Sequence, residues 1–240
     1  MIVTFDADYR SQLLMCPART GRGALVGAEV IAHFSNPQSG VRIPTELVIP
    51  HISDEQHVIF FKEKLTLLEA HKSFFINNQL VAWINIDVQS AGAILNDEAL
   101  ARRISALPFL ELAINENFPE INLGRENQTL SKLAQRFTLT LSNFGAGIAT
   151  TRSITDRLFH RVILDRAFVL RLISGPAFEP FMQAIVSQIS PLCDGLMISG
   201  IDSDESRRRA YALGFSAMQG TLWPPVEPEA LATLLEAPHQ

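Results

Sequence analysis

A chain of 240 residues that is 47% hydrophobic can bury a sizeable core, and one domain over residues 1–240 is a simpler expectation than two small ones. A net charge of -5 supplies no concentrated basic surface, which argues against direct nucleic-acid binding. No apolar run reaches the about 18 residues of a membrane span, Met1–Arg10 carries Asp6 and Asp8 where a signal peptide is basic and then apolar, and Cys16 and Cys193 have no zinc-type spacing. A cytoplasmic protein with free thiols and no membrane partner is expected.

Near the start, Gln12–Pro17 and Ala24–Phe34 flank the turn-forming Gly21-Arg22-Gly23, which predicts an antiparallel hairpin. Ser53 and Gln56 then stand in capping-box relation at the head of a long helix with Val58, Phe61, Leu65 and Leu68 on one stripe. From residue 80 onward, short apolar runs alternate with helix-length segments: Leu80–Ile86, Phe109–Ile114, Phe137–Leu141, Arg161–Leu164, Gly195–Ile198 and Phe215–Met218. That rhythm is the signature of a parallel sheet covered by helices. In one intervening segment Phe178, Phe181, Met182, Ile185 and Ile189 share a helical face. Six parallel strands plus two leading strands predict an α/β fold of the (β/α)-barrel type, with an open doubly wound sheet as the alternative.

In such a barrel the reactive groups sit where strands end and loops begin. Those positions carry Ala113, Ser142 with Asn143, Ile163 and Ser199, none of them a carboxylate or a Lys. Glu29, Asn85, Glu116 and Gln219 are the polar exceptions. A two-metal hydrolase gathers several carboxylates around ions about 3.5–4 Å apart, and one Glu with an Asn cannot neutralise that charge. No catalytic and no metal-binding residue is therefore expected. Glu29 reads either as a vestigial ligand or as a hydrogen-bonded group in a closed-over cleft. His51 and His57 show no zinc spacing, and Arg207-Arg208-Arg209 reads as the solvated face of a helix capped by Ser203.

Several motifs fall in the order of a known family: Gly27-Ala28-Glu29-Val30-Ile31, Asn85, Phe144-Gly145-Ala146-Gly147, Asp165-Arg166-Ala167-Phe168-Val169 and Gln219-Gly220. From about Leu13 to Pro225 the chain resembles the EAL domain, the phosphodiesterase module that linearises cyclic diguanylate. The resemblance implies an EAL-type (β/α)8-like barrel with an antiparallel strand leading into it. It also implies a metal site made by the motif Glu, the Asn, a Glu, two adjacent Asp and a further Glu, with a Lys and a Gln assisting the attacking water. Only Glu29, Asn85 and Gln219 match that set. Ala113, Ser142, Asn143, Ile163 and Ser199 stand at the remaining positions, and His33 replaces an Arg that contacts a ligand phosphate. Glu116 matches a family Glu that braces a loop. Together these residues outline a vestigial pocket with no cofactor.

Phe109–Asn117, Phe178–Met182 and Leu222–Pro225 resemble a degenerate subgroup of the family. Members of that subgroup bind FlhD in the flagellar master regulator FlhDC, block its DNA binding and can assist its degradation by a ClpXP-type protease. The implied function is a non-catalytic regulator that represses flagellar genes and motility. The alternative is a non-hydrolysing cyclic-diguanylate receptor. Cyclic diguanylate is not expected to bind, because buried phosphates need cationic partners that the replaced Arg and the missing metal ligands no longer supply.

Overall fold

The computed structural model describes residues 1–4, 8–43, 45–145 and 151–236. A short strand β1 (Ile2–Thr4) precedes the long hairpin of β2 (Asp8–Arg19) and β3 (Leu25–Ser35), which pair antiparallel from Arg10 opposite Ser35 to Arg19 opposite Leu25. Gly23 turns the hairpin at φ +88°, a left-handed conformation that side chains resist. A two-residue strand β4 (Arg42–Ile43) lies on the far edge of β3. The helices α1 (Thr45–Val48), α2 (Asp54–Ala70) and α3 (Lys72–Asn77) follow.

The strand and helix units come next: β5 (Val81–Ile86), α4 (Val88–Asn96) and α5 (Glu98–Ser105), then β6 (Leu110–Asn115) and α6 (Gln128–Arg136). After these come β7 (Leu139–Phe144), α7 (Arg152–Thr155), β8 (Arg161–Leu164), α8 (Arg166–Leu172) and α9 (Phe178–Ile189). The last are β9 (Gly195–Ile198), α10 (Asp204–Ala212) and β10 (Ala217–Met218). Five of the longer helices begin on a side-chain cap: Ser53 with Gln56 and Ser203 with Ser206 in reciprocal capping boxes, Asp87, Asp97 and Asn127. No helix among the described residues is long and apolar enough to cross a membrane.

The strands close into a ring in the order β2, β10, β9, β8, β7, β6, β5, β3 and back to β2. Among the described residues the ring has eight strands, seven of them parallel, where the sequence pattern predicted six. The difference is β3, which is antiparallel to β2 on one side and parallel to β5 on the other. Gly27 makes the second pairing possible, because a Cβ there would sit 2.1 Å from the Val81 carbonyl oxygen. The barrel reading therefore holds against the open sheet.

Strand alternation sorts the side chains. Leu112, Ile114, Leu139, Leu141, Val162, Leu196 and Ile198 face outward into the main core under the helices, whereas Ala18, Trp83, Ile163, Met197 and Ala217 form a separate cluster inside the ring. Below that plug the barrel floor is polar and paired. Glu111 accepts hydrogen bonds from Trp83 Nε1 at 3.0 Å and Thr140 Oγ1 at 2.5 Å, and its other oxygen meets Arg161 Nε at 3.0 Å.

Two sequence expectations change in three dimensions. Phe181, placed on the buried face of α9, is 47% exposed and only flanks Phe168, with ring centroids 5.8 Å apart. The Arg run on α10 is more than a solvated face. Arg209 pairs with Glu179, donates to the Ile173 carbonyl and lies 4.9 Å over the Phe178 ring, while Arg207 donates to the Gly21 carbonyl at 2.7 Å. Tertiary neighbours on adjoining elements decide both cases.

Replacing Glu111 by Ala leaves an indole N–H, a hydroxyl and a guanidinium without their acceptor inside the barrel. The expected loss is about 3 kcal/mol of folding stability, read as a lower urea midpoint at unchanged slope. A loss under about 1 kcal/mol contradicts the central role given to this network.

Candidate functional site

The mouth of the ring, at the C-terminal ends of the parallel strands, is built from the inward positions above the Trp83 plug. Glu29 on β3, Asn85 on β5, Ser142 on β7 and Gln219 just after β10 meet there through side-chain hydrogen bonds. Asn85 Nδ2 donates to Glu29 Oε1 at 2.5 Å, Ser142 Oγ donates to Asn85 Oδ1 at 3.1 Å, and Gln219 Nε2 approaches Glu29 Oε2 at 3.4 Å. Neutral amides thus take both oxygens of the carboxylate. Burial pushes the Glu29 carboxyl above the usual carboxylate range, and the hydrogen bonds from Asn85 and Gln219, with the Lys64 charge, oppose that rise. Asn85 itself is exposed, so the cleft expected to be closed over Glu29 remains open at Asn85.

The remaining positions are arranged without anionic oxygens. Ala113 and Ile163 are buried, Ala113 beside Asn85 and Ile163 within the plug. Ser199 is half-buried past the end of β9. At the end of β7 the pairing steps from Leu141 opposite Val162 to Phe144 opposite Leu164, so one extra residue bulges out of the strand. Asn143 takes φ +58° in that bulge and is exposed, a conformation that Asn tolerates better than most side chains. His33, opposite Gln12 on the hairpin, is half-buried.

Glu116 is buried to 1% exposure and accepts a hydrogen bond from the Gly145 backbone N–H at 2.9 Å, tying β6 to the loop after β7. It makes no hydrogen bond to the Glu29 group. Of the Phe144–Gly147 motif, Ala146 and Gly147 lie outside the described residues.

This donor set does not fit a pair of divalent cations. One carboxylate, already engaged by two amides, faces Ala, Ser, Ile and Ser where further anionic oxygens are needed. No group of three or more His, Cys, Asp or Glu among the described residues is placed to hold a metal ion. No general base stands within hydrogen-bond reach of a nucleophile in the Glu29 group either.

Two charged residues, Asp87 and Lys64, escaped the sequence reading, and His57, read there only as lacking zinc spacing, has a side-chain partner. His57 on α2 meets Asp87, the cap of α4, at 2.5 Å, and Lys64 on α2 is buried at 9% exposure. The signal for Lys64 was present, since it falls on the buried stripe with Phe60, Phe61, Leu65 and Leu68. Its chemistry was invisible, because the sequence does not say which strand that stripe covers.

A family model described as the EAL domain matches residues 17–225. The chain is 49% identical over 236 residues, 98% of its length and all of the relative's, to the "Anti-FlhC(2)FlhD(4) factor YdiV" of Salmonella arizonae. It is 41% identical over the same span to the "Putative anti-FlhC(2)FlhD(4) factor YdiV" of Escherichia coli K12. The crystal structure of the EAL-like domain protein YdiV superposes with a TM-score of 0.87 at 41% identity, covering 95% of this chain and 97% of that one.

Cys16 pairs with Glu29 across the hairpin and could be mistaken for a nucleophile at the mouth. Burial first, and the Glu29 charge second, push its thiol up from 9.0 to about 12. The unfolded chain therefore ionises first. The stability that this group contributes is complete below pH 9.0 and is lost as pH climbs toward about 12. At about pH 8, Cys16 is expected to resist a thiol reagent in the native protein and to react once urea unfolds it. Rapid native labelling of Cys16, mapped by mass spectrometry, contradicts the assignment.

Proposed function

The chain belongs to the EAL domain family, and from that membership we propose that it is a non-catalytic regulator that binds the flagellar complex FlhC(2)FlhD(4) and keeps it from DNA. The observation that carries this reading is 41% to 49% identity over 98% of the chain to proteins named as anti-FlhC(2)FlhD(4) factors. The chemistry of the mouth supports it. Hydrolysis of a phosphodiester through metal-activated water needs anionic oxygens around the cation and a group to take the water's proton. Glu29 is held between Asn85 and Gln219, and no second carboxylate joins it there.

In this reading residues 1–240 act as a single EAL-like domain, and Glu29, His33, Asn85, Ala113, Glu116, Ser142, Asn143, Ile163, Ser199 and Gln219 are the remnant of a pocket. The direct contact is with the FlhD subunit. Occlusion of DNA binding lowers flagellar gene expression and motility, with a ClpXP-type protease as a further partner that removes the captured regulator. No cofactor takes part.

The test is co-purification of this chain with FlhD alone and with the FlhDC complex, followed by a gel-shift assay on promoter DNA. A stable complex with FlhD that no longer retains DNA is the expected result. Absence of any complex overturns the reading, and a calorimetric signal with cyclic diguanylate in its place turns the assignment to the nucleotide receptor.

A further inference from the structure

The antiparallel hairpin outruns the ring that it closes. β3 pairs with β5 only from Gly27 to Glu29, and β2 pairs with β10 only at Arg19, so the half of the hairpin from Asp8 to Leu14 and from Ile31 to Ser35 stands clear of the ring, flanked at its open end by β1 and β4. One face of this projection packs Val3, Tyr9, Ala32 and Phe34 with Val48, Ile52 and Phe60. The other face continues the side of the hairpin on which Ala18 points into the ring. In steps of two from Ala18 it carries Cys16 with Glu29, Leu14 with Ile31, Gln12 with His33, and Arg10 with Ser35.

The outermost row of that face is basic. Ile2, Arg10, Ser35 and Arg42 lie in register across β1, β2, β3 and β4, and side chains directly opposite one another in such a row stand about 5 Å apart. Arg10 and Arg42 are exposed on either side of Ser35, and His33 lies one row nearer the mouth. Arginines such as Arg103, Arg161 and Arg209 each hold a carboxylate, but neither Arg10 nor Arg42 has a hydrogen-bond or ion-pair partner among the described residues. The nearest acidic groups are Asp8, diagonal to Arg10 and itself engaged, and Glu227, which accepts from Gln12 Nε2 at 2.8 Å. Beside the row a depression of ≈ 400 Å³ opens between Ile2, Tyr9, Arg10, Asn36 and Pro37, with Ile2 52% exposed at its lip. In a chain of net charge -5, one small face thus keeps two guanidinium groups without carboxylates, next to an apolar recess.

We infer that this face is a docking surface for an acidic segment of a protein partner, one that sets carboxylates on Arg10 and Arg42 and an apolar side chain in the recess beside Ile2. A guanidinium is a planar fork that takes a carboxylate by two parallel hydrogen bonds, and pairing relieves the repulsion between two like charges on one row. Exposed ion pairs alone hold weakly in water, and the apolar recess supplies the desolvated contact that they lack. A nucleic acid fits less well, because two arginines on an acidic chain do not make the extended basic surface that a phosphate backbone requires. The inference rests on the reading above only for the identity of the partner, FlhC(2)FlhD(4). The surface itself is read from the register, charge and shape of this chain.

Two measurements on the full chain test it. The first needs no regulator. A peptide of glutamates around one leucine, titrated into isotope-labelled protein at about 50 mM salt, is expected to move the amide magnetic resonance signals of Arg10, His33, Ser35 and Arg42 and to leave those of Arg171 and Arg208, exposed on α8 and α10, in place. No movement at the hairpin, or equal movement at Arg171 and Arg208, overturns the inference. Equal shifts with inorganic phosphate in place of the peptide reassign the face to phosphate and overturn it too. The second is the affinity for FlhDC of Arg10→Glu with Arg42→Glu, set against Arg171→Glu with Arg208→Glu, which changes the net charge equally. The hairpin variant is expected to bind about thirtyfold more weakly than wild type, and the helix variant within about threefold of it. Equal losses in the two variants, or none, overturn the inference while the proposed function stands. If wild type binds no FlhDC, the proposed function fails and the peptide titration alone decides the face. Should the charge reversal lower the urea midpoint, Arg10→Gln with Arg42→Gln is read in its place, with a loss of about fivefold expected.

Discussion

Closure of the strand ring on one antiparallel member is the constraint on which everything else rests. β2 runs against both of its neighbours, with a ladder of ten register pairs to β3 but a single pair, Arg19 opposite Met218, to β10. On that thin side the seam is reinforced from the C-terminal segment. Met15 and Val226 exchange backbone hydrogen bonds at 2.8 and 3.0 Å, and the buried Arg19 guanidinium reaches the Leu234 carbonyl at 2.7 Å. Without these links the ring would present two open edges, each a row of unpaired backbone groups. With them, inward side chains from opposite strands are forced to meet.

What they make differs from one end to the other. At the floor, Glu111, Arg161, Trp83 and Thr140 form a charged network in which both carboxylate oxygens are satisfied, as a low-dielectric interior demands. At the mouth, Glu29, Asn85, Ser142 and Gln219 form a largely neutral chain of amides and a hydroxyl around one carboxylate. A fold can lose the chemistry of its mouth and keep its floor, because only the floor network is sealed beneath the Trp83 plug and must be paired for the barrel to stand. A barrel can serve as a scaffold with nothing reactive at its mouth.

Much of the architecture was legible in local pattern. Arg161–Leu164 and Gly195–Ile198 are strands with the predicted bounds, and the Ser53–Gln56 capping box starts α2 as expected. Boundaries drifted where the apolar signal outran the ladder. Phe215 belongs to the core but not to β10, and β7 continues through Ser142 and Asn143 because a bulge lets a polar pair stay in the strand. Phe181 has the spacing of a buried residue and is exposed, since periodicity tells which residues share a face and not how far the covering surface extends.

By itself, then, the sequence determined the strand and helix alternation, the hairpin, the family motifs and the missing carboxylates, because each depends on residue type and on spacing within a few turns of chain. Only the tertiary structure decided what joins Glu29: amides from β5 and the β10 end, and a hydroxyl bonded onward from β7. The physical reason is that burial and pairing belong to the closed ring.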